Sequence, residues 1–120
     1  MDWKLSGDRP VYQQIITTIQ GAVLSGEYPS GTRIPSVREL AAEARVNPNT
    51  MQRALGELER QGLLVSSTAG RYVTGNRAIL EQLRKERLEE LARECVRRFR
   101  AYGLSPQQAA DIITALDEEE

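Results

Sequence analysis

The chain has 120 residues, 40% hydrophobic and 28% charged, with a formal net charge of −1 and no histidine. A single cysteine, Cys95, excludes an intramolecular disulfide, and without histidine the Ser-His-Asp, Cys-His and common zinc arrangements are excluded too. No apolar run reaches the roughly 18 residues of a membrane span and no GxxxxGKS/T phosphate loop occurs, so a cytoplasmic, non-enzymatic protein without metal, cofactor or membrane partner is expected.

The opening MDWKLSGDRP shows no signal-peptide pattern, and Trp3-Lys4-Leu5 reads as a short strand or a packed arm. Arg9-Pro10 opens a helix whose apolar stripe is Tyr12, Ile15, Ile16, Ile19 and Val23, with Gly26 as its stop. Tyr28-Pro29-Ser30-Gly31 is a turn, after which Thr32-Arg33-Ile34 has room for only a very short strand.

From Ser36 to Gly62 the sequence predicts two helices joined by a tight turn. Ser36 caps the first, Glu39 completes a capping box, and Val37, Leu40, Ala41 and Ala44 give it one buried face. Arg45-Val46 is too short for a flexible linker. Asn47 caps the second helix and Pro48 occupies its first position, where the missing N–H is harmless. Met51, Ala54, Leu55 and Leu58 form its inner stripe, and Gly62 ends it. Two capped helices this closely joined predict a helix-turn-helix.

The other face of the second helix carries Asn49, Gln52, Arg53, Gly56 and Arg60. Asn and Gln can pair twice with an adenine edge, and Arg can do the same with guanine. Asn49 and Thr50 stand beside the free N–H groups of the helix start, which suit a phosphate oxygen. Each of these residues alone would read as solvated surface; the whole set on one helix points to double-stranded DNA.

Leu63-Leu64-Val65 and Arg71-Tyr72-Val73-Thr74 flank a turn at Ser66 to Gly70, predicting a hairpin with Thr68-Ala69-Gly70-Arg71 at its tip. The expected fold is therefore mainly α with a small β-hairpin: a winged helix-turn-helix over residues 1–76. Those residues hold eight Lys/Arg against seven Asp/Glu, and residues 77–120 eight against ten. A DNA-binding footprint must then come from local placement of Arg38, Arg45, Arg53 and Arg71.

After Gly75-Asn76 a charged helix is expected from Arg77 to Tyr102, with Leu80, Leu83, Arg84, Leu88, Leu91, Cys95, Phe99 and Tyr102 near one stripe. Gly103 stops it. Ser105 and Gln108 form a second capping box, and Ala109, Ile112, Ile113 and Leu116 line a last helix ending in a solvated Glu118-Glu119-Glu120 tail. Two such helices cannot bury Leu88, Leu91, Cys95, Phe99, Tyr102, Ile112, Ile113 and Leu116 alone, so residues 77–120 are expected to form a C-terminal dimerisation segment for a homodimer.

The segments RPVYQQI, SGEYPSGTRIPSVRELA, VNPNTMQRALGELERQGLL and GRYVT, in this order and spacing, resemble the GntR family of bacterial transcription regulators over roughly residues 1–76. The short two-helix tail resembles its YtrA subfamily. The resemblance implies a winged helix that binds a palindromic operator as a homodimer, often to repress an ABC-transporter operon in response to envelope stress or small ligands. Carried over by motif, Ser36, Arg38 and Glu39 would lie at the start of the helix that meets the DNA backbone, with Arg38 a phosphate or base contact. Asn47, Pro48, Asn49, Thr50, Gln52 and Arg53 would form the entry of the recognition helix, and Gly70 would be the wing glycine that lets the tip enter the minor groove. The tip departs from the Gly-x-Gly of many relatives.

The competing reading is a winged helix that serves as a protein–protein adaptor, for which an apolar or acidic recognition face is expected instead of Asn, Gln and Arg. A small-molecule effector of unknown identity would have little room, since 44 tail residues offer small volume for a pocket of roughly 300–1,000 Å³. Cys95, on the apolar stripe, reads as a buried inert thiol rather than a redox handle.

Overall fold

The structure, a computed structural model, describes residues 1–119. Five helices and one hairpin follow in the order α1 (Val11–Leu24), α2 (Val37–Ala44), α3 (Pro48–Arg60), β1 (Leu64–Ser67), β2 (Gly70–Val73), α4 (Arg77–Arg100) and α5 (Pro106–Glu119). The chain divides into two compact units, Met1–Glu81 and Gln82–Glu120, so the opening turn of α4 belongs to the first. Glu120, the end of the expected acidic tail, lies outside the described residues.

In the first unit the helical stripes predicted from periodicity form one core. Ile15 and Ile19 of α1, Leu40 of α2 and Met51, Ala54, Leu55 and Leu58 of α3 are wholly buried, with Ile34, Leu63, Leu64 and Val73 joining them from the sheet side. This core fixes α3, whose inner face is apolar at every third or fourth residue, and leaves its polar face outward.

Residues 1–10 contain no strand, so the expected Trp3-Lys4-Leu5 element is an arm. Buried Gln14 holds it: its side chain accepts from the Ser6 N–H at 2.7 Å and donates to the Ser6 and Arg9 carbonyls. A paired amide has no apolar signature, which is why periodicity did not single it out. At the arm's end the α-amino group donates to Glu43 of α2, and that bond raises its pKa above the ordinary value.

The hairpin pairs Leu64 with Val73, Val65 with Tyr72, Ser66 with Arg71 and Ser67 with Gly70. Residues 31–34 add a third edge. Arg33 bridges to Tyr72, Gly31 N–H donates to the Val73 carbonyl, Val73 N–H to that of Thr32, and Ile34 N–H to that of Arg71. Strand alternation then sorts the side chains. Leu64, Arg71 and Val73 turn toward the core face, while Arg33, Val65, Gly70 and Tyr72 share the outer one.

In the second unit, Ser105 and Gln108 form a complete reciprocal capping box at the start of α5. α4 buries none of its residues, and Leu88, Leu91, Tyr102, Ile112, Ile113 and Leu116 are between 42% and 86% exposed. Ala109 is the one buried hydrophobic residue among those described here.

Candidate nucleic-acid interface

The candidate interface comprises α2, the turn after it, α3 and the hairpin. Ser36 Oγ accepts from the Glu39 N–H at 3.2 Å, as a cap should, but the return half of the expected box differs. The Glu39 carboxylate accepts from the Ser36 hydroxyl at 3.1 Å, while the box of the sequence reading has it accept from the Ser36 backbone. Arg38 is exposed and forms no ion pair among the described residues.

Arg45 closes α2 in the left-handed conformation, with φ 58°, and Val46 N–H reaches back to the Ala41 carbonyl. The chain thereby reverses within two residues. Asn47 then caps α3, its Oδ1 accepting from the Asn49 N–H at 2.8 Å with Pro48 in the first turn. These caps fix the start of α3 relative to α2.

Asn49, Gln52 and Arg53 are exposed on the free face of α3, and Thr50 is half-buried. The Arg53 guanidinium stacks over the Tyr12 ring, 4.7 Å from its centroid. Two members of the predicted face are otherwise engaged or empty. Arg60 pairs with Glu57 at 3.0 Å, and among the described residues nothing beyond the backbone of its own helix lies within 4 Å of where a Cβ on Gly56 would stand.

The structure places Arg71 differently from the sequence reading, which set it at the wing tip as a free cation. Its side chain turns inward to pair with Glu59 of α3, and it is 18% exposed. Periodicity within β2 would have shown this, because Arg71 lies on the same side as buried Val73. At the tip, Thr68 and Ala69 keep negative φ and the positive value, 133°, falls on Gly70. A Cβ on Gly70 would stand 2.8 Å from the Arg33 Nε, so Arg33 crosses the hairpin where Gly70 has no side chain. The sequence reading did not select Arg33; its partner lies 37 positions away, beyond any local pattern.

The second unit offers an open apolar hollow of about 500 Å³ lined by Leu91, Glu94, Cys95, Arg98, Phe99 and Tyr102. That is more room than the tail length suggested, because α4 contributes no buried residue and its stripe stays open. Cys95 and Phe99 are half-buried there, so the thiol is not enclosed within its own chain as expected.

Comparison with known proteins is consistent across sequence and structure. The family described as "Bacterial regulatory proteins, gntR family" matches residues 11–73. The HTH-type transcriptional repressor YtrA of Bacillus subtilis is 41% identical over 68 residues, covering 56% of this chain and 52% of that protein. A GntR family transcriptional regulator from Listeria monocytogenes superposes with a TM-score of 0.82 at 30% identity, covering 97% of this chain and all of the other. The DNA-binding domain of AraR, solved in complex with operator ORX1, superposes with a TM-score of 0.53 at 30% identity over 62% of this chain and 92% of that one.

Proposed function

Because the chain belongs to the GntR family of bacterial regulatory proteins, we propose that it is a repressor that binds a palindromic operator as a homodimer. The observation that carries this reading is the free face of α3, where Asn49, Gln52 and Arg53 stand exposed on a helix whose start is capped by Asn47. AraR's domain, of similar fold, is bound to its operator, and YtrA is named a repressor. In this reading Gln52 and Arg53 read base edges. Asn49, Thr50, Ser36 and Arg38 hold phosphates at the two helix starts, and Arg45 adds charge at the turn.

Dimerisation is supported by the exposed apolar surface of α4 and α5, which a soluble chain of this size does not leave open. A second copy laid on Leu88, Leu91, Phe99, Ile112, Ile113 and Leu116 would cover it and set the half-site spacing. The hollow beside Cys95 would be roofed by the same contact. A transporter operon is the expected regulatory target, as the resemblance to the YtrA subfamily implies.

The test is selection of bound duplexes from a random library, with light scattering on the same protein. An enriched inverted repeat and a dimer mass support the reading. A monomer that enriches no sequence overturns it and favours a protein–protein adaptor.

A further inference from the structure

The hairpin tip is electrically neutral from Ser66 to Gly70, and the nearest cation in sequence, Arg71, is turned away to Glu59. The outer face of the same sheet nevertheless carries a guanidinium. Arg33 pairs with Tyr72 across the sheet edge, and its diagonal neighbour on that face is Gly70. With no side chain at Gly70, the Arg33 side chain lies across the strand, its Nε 2.8 Å from the position a Cβ would take there.

The backbone on both sides of Arg33 is pinned. The Thr32 carbonyl accepts from Val73 and the Ile34 N–H donates to Arg71, both at about 3 Å. The side chain itself is exposed and forms no ion pair among the described residues, in contrast to Arg60 and Arg71. Arg33 is also only three residues before Ser36, so its Cα is at most about 11 Å from the α2 cap by chain geometry. Ser36 and Arg38 hold phosphate in the proposed reading, and the positive end of the α2 dipole adds to the field there.

We infer that Arg33 is the cation through which the hairpin binds a DNA backbone phosphate, and that Arg71 is a brace that holds the hairpin to α3. This rests on the DNA-binding reading above and extends it to a residue outside both helices of the motif. The glycine at position 70 then has a second role besides its φ: it is the seat of the arginine. The arrangement gives the tip a positive charge without a cationic residue in the turn.

The experiment is a salt titration of binding, by fluorescence anisotropy, to the duplex selected by the unmodified protein and to an unselected duplex. Each phosphate contact contributes about 0.9 to the slope of log K against log salt. Arg33→Gln is expected to reduce that slope by about 0.9 per protomer bound, on both duplexes, with a loss of roughly tenfold in affinity at low salt. Arg33→Lys restores the slope, which a packing role against Gly70 would not require. Arg71→Gln leaves the slope unchanged while lowering the urea midpoint.

An unaltered slope in Arg33→Gln, with unchanged circular dichroism, overturns the inference and leaves the regulator reading intact. So does loss of the slope in Arg71→Gln alone. If the unmodified protein itself shows no salt-dependent binding to either duplex, the regulator reading falls, and this inference with it.

Discussion

Arg53 on α3 and Tyr12 on α1 are stacked, with the guanidinium 4.7 Å from the ring centroid, so the recognition helix shares a cation with the first helix of the fold. An arginine with three or more rotatable bonds loses less entropy on reaching a base when a ring already restricts it. Stacking at an exposed position contributes about 0.5–1 kcal/mol. Tyr12→Leu should therefore weaken operator binding about two- to fivefold, while Tyr12→Phe stays near the parent. In an Arg53→Ala background Tyr12→Leu should add nothing further; a full additive loss there would show that the ring acts by another route.

Arg53 and Arg38 should fail in different ways. With Arg53 reading a base edge as proposed, Arg53→Ala should reduce discrimination between operator and altered operator by about 1–3 kcal/mol. Arg38→Ala should weaken binding to every duplex alike and lower the salt slope by about one. Competition titrations with single-base operator variants separate the two. An Arg38 loss confined to one base position would contradict the phosphate assignment.

The Glu59–Arg71 pair joins α3 to the hairpin with both partners less than one-third exposed. Removing the charge at Glu59 keeps an acceptor oxygen but leaves the partly buried Arg71 cation without its counter-charge. Glu59→Gln should lower the stability of the protein by about 1–2 kcal/mol, seen as a reduced urea midpoint with unchanged slope. A midpoint equal to the parent's would mean that water replaces the carboxylate without loss.

The caps of α2 and α3 each satisfy one backbone N–H through Ser36 and Asn47. Ser36→Ala and Asn47→Ala should each cost about 1 kcal/mol, and Ser36→Gly and Asn47→Gly only a few tenths. Chemical denaturation of the four variants provides the check, and an equal loss for glycine and alanine would argue against capping as the cause.

For the tail, Leu91→Glu or Ile113→Glu should place a charge on the surface proposed to cover a second copy. The expected outcome by sedimentation is a monomer whose circular dichroism still shows folded helices. A dimer that persists in both variants would move the contact elsewhere.

Much of the first unit was legible because it is local. Met51, Ala54, Leu55 and Leu58 repeat at helical spacing, and Ser36, Asn47 and Pro48 carry their capping chemistry in their side chains. What stayed hidden joins residues far apart in sequence. Gln14 is buried because it satisfies the arm's backbone, Arg33 meets Gly70 across a sheet edge, and Arg71 finds Glu59 twelve positions away. The inward turn of Arg71 was available in principle from two-residue alternation with Val73, but the positive charge at a tip outweighed it. The exposed stripe of α4 and α5 was readable as apolar spacing, and the chain itself leaves it open.

Among the described residues Arg45 is the one non-glycine with a positive φ. A side chain in that conformation carries a strain of about 1–2 kcal/mol that glycine would avoid. A population selected for thermal endurance alone would therefore drift toward glycine or asparagine at this position, and its survivors would be hardier and less strongly charged at the turn. With Arg45 adding charge at the turn as proposed, the bend between α2 and α3 is a place where durability and attraction to a polyanion pull against each other, and where a directed-evolution campaign for either property should first show its bias.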